Sequence, residues 1–307
     1  MIDKIKSIFI IPELRSRIIF TLSVLIIVRM GAHIPIPGVN GEVLSMAFDN
    51  LKSGLFGLFN TFVGGAFQKA SLFSLGIMPY ISSSIIIQLM GSVIPYFQRL
   101  QKEGEAGRKK ITQITRYGTV MLSTMQSYGV VAVFLPSLTS NGQQVVNNPG
   151  LMFTFTGIIS MVTGTLFLMW LGERITERGI GNGISLIIMV GIVSAFPNVI
   201  INEVTMVQSG ARGWLAEFIL MGIMFLIICF VVLLTQGTRK IPVQYAKRVV
   251  GRKIYGGQNT HIPMRVNTAG VMPIIFAQSI MFIPSTITTF LGDTDFSASL
   301  MRWFSFD

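Results

Sequence analysis

Residues 64–95 read GGAFQKASLFSLGIMPYISSSIIIQLMGSVIP, a stretch that begins glycine-rich and polar and then turns almost wholly apolar. It predicts a re-entrant piece followed by a transmembrane helix. Within it, Gly76-Ile77-Met78-Pro79-Tyr80-Ile81 is repeated later as Gly270-Val271-Met272-Pro273-Ile274-Ile275, with Gly, Met, Pro and the final Ile in register. Two membrane helices carrying one pattern point to an internally duplicated membrane protein.

The whole chain agrees with that start. It is 51% hydrophobic and only 12% charged over 307 residues, too apolar for a water-soluble domain and in the range of a polytopic membrane protein. A helix needs roughly 20 mostly apolar residues to cross the hydrocarbon core. Seven stretches qualify: Arg17 to Ile34, Leu75 to Phe97, Tyr117 to Leu135, Leu151 to Leu171, Gly183 to Ile201, Leu215 to Leu234 and Ala269 to Phe290. Taken alternately, the segments between them put 19 of the 24 basic residues and six acids on one side, a net +13, and four basic residues and seven acids on the other, a net −3, with Arg29 inside the first span. Basic loops stay in the cytoplasm, so the N-terminus is expected inside. The lone Cys229 has no intrachain partner and says nothing of redox compartment. The first span is followed by HIPIPGVN rather than a small-residue cleavage site, which reads as a permanent anchor. Arg29, within that span and just ahead of Gly31 and His33, is expected to snorkel to the outer interface.

Residues 1–15 place Ile2, Ile5, Ile8 and Phe9 at helical spacing, as an interfacial amphipathic helix or a plain lead-in would. The outside segment Pro35 to Ser74 is rich in Gly and Phe and too interrupted to span. Such backbone survives at membrane depth only when buried in protein or facing a cavity; the alternative is a helix lying on the outer leaflet. GERITERGIGNGIS after the fourth span lacks both the strand and the spacing of a dinucleotide loop and predicts a tight turn into the fifth span. The inside loop Thr235 to Thr268 alternates β-prone residues with basic pairs and carries Gly256-Gly257 before a second Val/Ile-containing run, which predicts a short protruding hairpin. Its seven basic residues exceed what topology needs, so an acidic docking partner is expected: lipid, RNA phosphate or a protein face.

Chemistry-bearing residues are sparse. His33 and His261 are predicted on opposite sides of the membrane, so neither a His-based metal site nor a His-supported nucleophile is evident; no enzyme, metal or cofactor is expected. An ion-coupled small-solute transporter is the rival reading, since broken helices and inverted repeats mark that class too. Its midplane acids are missing, however, because all thirteen Asp and Glu fall in loops or at span ends, with Glu217 nearest. What the spans do carry is isoleucine at helical spacing beside proline. Ile77 and Ile81 share a face, as do Ile184 and Ile188, and Ser84 and Gln88 continue the first stripe. These are either core and lipid-facing residues or a hydrophobic constriction that excludes water and ions.

The runs GAFQKASLFSLGIMPYISSSIIIQLM, EGEAGRKKITQITRYGT, ITERGIGNGISLII and YAKRVVGRKIYGGQNTHIPMRVNTAGVMPIIFAQSI closely resemble the bacterial SecY family, over essentially the whole chain and in order. The resemblance implies an all-α polytopic membrane protein, a SecY-type inverted-repeat bundle of ten helices in two halves that open like a clamshell. Residues 1–205 would be the N-terminal half and 206–307 an incomplete C-terminal half. Its implied function is a channel that translocates unfolded polypeptides across the bacterial cytoplasmic membrane and releases apolar segments sideways into lipid. Carried over by motif, the pore ring would include Ile77, Ile81, Ile184, Ile188 and Ile275. The plug would run from about Leu55 through Phe59, Phe62, Gly64, Gly65 and Phe67 to Lys69. The lateral gate would hold Gln88, Gln126, Gln278 and Ser279. Lys240, Lys247, Arg248, Arg252 and Lys253 would dock the ribosome or the SecA motor. SecE and SecG, the translocating polypeptide with its signal sequence, and membrane lipid complete the implied partners. After the seventh span the sequence runs LGDTDFSASLMRWFSFD, without the family's last three helices, its second basic loop and one ring residue, so residues 1–307 alone are not expected to seal a channel.

Overall fold

The computed structural model describes residues 11–49, 55–140, 143–243, 248–250, 253–255, 260–267, 270 and 277. The chain divides into two compact units, Met1–Asn198 together with Phe276–Asp307, and Val199–Ile275.

In the first unit, α1 (Pro12–Gly31) starts on a proline at its first turn, where the missing N–H costs nothing, and carries Glu13 at its N-terminal end. A short helix α2 (Gly41–Asp49) follows, with the Asn40 side chain accepting from the Glu42 and Val43 amides at 3.1 and 3.4 Å. The helix α3 (Leu55–Phe62) then leads into irregular backbone over residues 63–77. The helix α4 (Met78–Val93), with Pro79 in its first turn, ends at Ile94, which is extended because Pro95 follows. There the chain bends by 100° into α5 (Pro95–Lys102). The predicted span Leu75–Phe97 is therefore shorter than the sequence indicates: Leu75–Ile77 are turn and Phe97 belongs to the next helix.

The third span begins well before Tyr117, as α6 (Glu105–Tyr128), and continues through a π-helical turn (Gly129–Phe134) into a last α turn at Leu135–Ser137. Two short strands, β1 (Thr139–Ser140) and β2 (Gln143–Gln144), close the outer loop, whose Val145 and Val146 are buried. The helix α7 (Leu151–Arg178) is the longest element. The GIGNG segment is the tight turn its composition predicts. Gly181 has φ +71°, Asn182 caps α8 (Gly183–Val193) through the Ile184 and Ser185 amides, and the Ile180 and Gly183 amides donate to Thr21 and Thr176 Oγ1. A break at Ser194–Ala195 precedes α9 (Phe196–Gln208), within which the boundary between the units falls. In this unit α6 packs on α4 and α7, and α7 on α1 and α8.

The second unit holds α10 (Trp214–Gln236), apolar on every side and with no residue buried, as expected of a helix whose solvent is lipid. Arg212, just before it, pairs with Glu203 at 2.6 Å and Glu217 at 3.5 Å. The basic loop forms the predicted hairpin but in two tiers. Strands β3 (Thr238–Val243) and β6 (Thr260–Arg265) pair antiparallel from Thr238↔Arg265 to Val243↔Thr260. Inside them β4 (Arg248–Val250) pairs with β5 (Lys253–Tyr255). Val250 pairs with Lys253, so the chain reverses between β4 and β5, ahead of Gly256-Gly257 in the sequence.

Among the described residues, Glu105–Ser137, Leu151–Arg178, Gly183–Gln208 and Trp214–Gln236 are long and apolar enough to cross a membrane, with a fifth crossing if α4 and α5 count as one. The seventh predicted span lies outside the described residues apart from Gly270 and Ala277. Close packing depends on small residues on α7. A Cβ at Gly164 would stand 2.0 Å from the Leu72 carbonyl oxygen, whereas one at Gly150 meets nothing within 4 Å. Gly164→Leu is expected to destabilise the fold by about 3 kcal/mol through overpacking against backbone, and Gly150→Ala to be neutral; thermal unfolding of the detergent-purified protein measures both.

Candidate functional site

Residues 63–77 are neither helix nor strand, yet they are the best-buried part of the first unit. Ala66, Phe67, Ala70, Ser71, Phe73, Ser74 and Leu75 are all buried, which excludes the reading of this segment as a helix lying on the outer leaflet. Their backbone groups are satisfied locally or by the chain ahead of α2. The Gly65 amide donates to the Asn60 carbonyl and the Ser71 amide to Ala66, while Ile36 and Ala70, and Leu72 and Ile34, are joined at 2.9 Å. Ser74 Oγ donates to the Ser71 carbonyl. Gly64, Gly65 and Gly76 adopt positive φ of 69°, 79° and 57°, a region closed to most side chains.

This segment is shared by two apolar clusters. On one side Phe67, Ala70 and Leu75 join Phe48, Phe59, Val131 and Met161. Phe67 meets Phe48 and Phe59 edge-on at 5.3 and 5.2 Å and stacks on Phe134, at the end of the π turn, at 5.7 Å. On the other side Ala66, Phe73 and Ile77 join Val24, Val28, Leu168, Leu171 and Ile187, with Ile81 and Ile184 packed against them. Three of the five predicted ring isoleucines thus meet in one cluster. A fourth, Ile188, lines a cavity with Ile77, Ile187, Phe62 and Val63; the fifth, Ile275, lies outside the described residues.

The residue most at odds with its predicted setting is Arg29. It is held by protein. Its Nη1 donates to the Gly64 carbonyl at 2.8 Å, and the side chain lines the same cavity. Gly64 is also held from the far side, because a Cβ there would meet the Gly191 Cα of α8 at 2.8 Å. Lys69 lies at the exposed edge. Of the other predicted plug residues, Phe59 and Phe67 are buried and Phe62 half-buried, and Gly65 forms the turn with Gly64; Leu55 begins α3, a backbone placement.

The predicted gate residues separate. Gln88 is exposed on α4, its Nε2 3.4 Å from Ser84 Oγ, and Gln126 is buried on α6. Gln278 and Ser279 lie outside the described residues. Between α4 and α6, Ser83 Oγ donates to the Thr115 carbonyl at 2.9 Å. On α6, Arg116 makes a two-pronged pair with Glu173 of α7, at 3.1 and 2.7 Å. Sequence reading passed over this link, because the two residues are 57 apart and each resembles an ordinary loop charge. On the hairpin, Lys240 is in β3 and exposed, Arg248 opens β4 and Lys253 opens β5; Lys247 and Arg252 lie outside the described residues. No group of three or more His, Cys, Asp or Glu that could hold a metal occurs among the described residues.

The SecY family model matches residues 71–306. The chain belongs to the SecY family. It is 48% identical over 280 residues to the protein translocase subunit SecY of Escherichia coli K12, covering 91% of this chain and 63% of that one. A solved structure described as a protein conducting channel superposes with a TM-score of 0.63 at 18% identity, covering 90% of this chain and 58% of its own. Sec61 from a canine ribosome-channel complex gives 0.62 at 17% identity, with the same coverages. The chain thus spans less than two thirds of the length of these relatives. At this level of structural likeness it is the fold that is shared, a SecY-type helical membrane bundle, and the chain is a multi-pass membrane protein.

The orientations of the two glutamines are directly testable. In a cysteine-free background, Gln88→Cys is expected to react with a small maleimide at least tenfold faster than Gln126→Cys; equal rates would overturn the placement of α6.

Proposed function

We propose that this SecY chain supplies the plugged part of a protein-conducting channel, translocating unfolded polypeptides across the bacterial cytoplasmic membrane and passing apolar segments sideways into lipid. The observation that carries the reading is the buried irregular segment 63–77, seated directly against an isoleucine cluster from α4 and α8. Water-excluded irregular backbone at membrane depth is stable only inside protein. A segment whose removal would open an apolar constriction is a stopper.

An aliphatic constriction suits a conduit for arbitrary sequence. Fixed polar ligands would retain some substrates, whereas an apolar ring closes by dewetting and tolerates any side chain. Sideways release follows from partition. A central Leu or Ile favours lipid by about 0.3 to 0.6 kcal/mol, and a charge opposes entry by about 2.5 to 3.5. The ring would comprise Ile77, Ile81, Ile184, Ile188 and Ile275, with Ile187 as the buried support behind it. The exposed Gln88 would face the gate. The alternating charge supports a cytoplasmic N-terminus, which places the hairpin, with Lys240, Arg248 and Lys253, inside, where it would dock the ribosome or the SecA motor. The residues that complete the two clamshell halves, and the small subunits SecE and SecG, would supply the remaining walls. The rival transporter reading finds no support in a family of translocase subunits.

Two measurements test the reading in the channel complex isolated from its native membrane. A cysteine at Ile77 is expected to crosslink to a stalled translocating chain; labelling by lipid-soluble probes alone would remove Ile77 from the conduit. Replacing Arg248 and Lys253 together by Glu is expected to weaken ribosome or motor binding at least tenfold while leaving membrane insertion of the chain intact, and unchanged affinity would reduce the hairpin to a topology signal.

A further inference from the structure

We propose that Arg29 is the positioning residue that holds the plug closed, acting as a latch through its hydrogen bond to the Gly64 carbonyl. This rests on the plugged-channel reading above. A cation inside a membrane span is costly and is kept where it is used. Here the guanidinium reaches a carbonyl 35 residues further along, at 2.8 Å. That carbonyl sits immediately beyond α3, at the glycine where the chain leaves the plug helix in a left-handed conformation.

The geometry is that of a clasp. On one side of Gly64 stands Arg29 of α1; on the other, the Gly191 backbone of α8 approaches so closely that no side chain fits. The surrounding cavity is apolar, lined by Phe62, Val63, Ile77 and Ile188, and a charge-assisted bond is strengthened in such surroundings. The partner is a backbone carbonyl, so no substitution at position 64 deletes it, and the chemistry of the latch resides in Arg29 alone. One bond of this kind biases a two-state equilibrium by roughly ten- to a hundredfold. That is enough to keep the plug seated at rest, yet a substrate segment entering the constriction can outcompete it.

The test compares resting ion leak through the native complex in vesicles for wild type, Arg29→Met, a plug deletion of Phe62 to Ala66, and the two changes combined. Arg29→Met is expected to raise the leak roughly ten- to a hundredfold, following the shift in plug position. The combined form is expected to leak no more than the deletion alone, because both remove the same closure. Arg29→Lys, which keeps the charge but offers a shorter point donor, should fall between. If Arg29→Met does not accumulate, Arg29→Lys and Arg29→Gln decide the matter on the same scale. A tight Arg29 variant beside a leaky deletion would overturn the latch and leave the channel reading standing. A tight deletion would overturn the plug itself and the latch with it. A combined form leakier than the deletion would show Arg29 acting elsewhere and would also overturn the proposal.

Discussion

The structure of the first unit depends on satisfying the backbone of residues 63–77 without a helix. In hydrocarbon each unpaired amide or carbonyl costs several kcal/mol, so an irregular segment there must be enclosed and bonded group by group. The bonds to Ile34 and Ile36, the turns at Gly64, Gly65 and Gly76, and the donation from Arg29 meet that requirement. Everything that packs around them follows. The clusters on either side close over this one segment, and α4 begins where it ends, with Ile77 at the junction. A segment enclosed this way is held by many weak terms and a few polar bonds.

The helices that enclose the segment are joined to each other by different means at different depths. Near the predicted cytoplasmic ends α6 and α7 are tied by the Arg116–Glu173 pair. Midway, close approach replaces charge, with Gly164 against Leu72. Towards the predicted outer side, aromatic contacts among Phe48, Phe59, Phe67 and Phe134 take over. The polar link lies where water screens and supports it, and the apolar ones lie where it cannot.

Much of this was legible in the sequence, for identifiable reasons. Glycine and asparagine act locally, so the tight turn at GIGNG is written in adjacent residues, whereas the span read through to Phe97 passed over the break ahead of Pro95. Charge alternation and apolar length mark the spans, and β-branched residues between basic pairs mark the hairpin. Helical spacing brought Ile77, Ile81 and Ile184 to one cluster. What escaped was long-range. Nothing near Arg29 in the sequence names Gly64 as its partner, and a lone arginine near a span end looks like any interfacial anchor. Gln126 and Gln88 share a residue type, but burial separates them, and burial is set by the neighbouring helices. The site of the hairpin reversal depended on pairing register, which Gly256-Gly257 alone did not determine.

The π-helical turn at Gly129–Phe134 has a consequence of a different kind. A π turn accommodates one residue more than the α-helix on either side of it, so the third span carries a surplus residue in its interior instead of in a loop. The faces before and after that turn keep their bearings, with Gln126 buried on one side of it and Phe134 laid on Phe67 at the other. A change of length in this helix can therefore be absorbed where it occurs, without rotating the rest of the helix and without lengthening its connections.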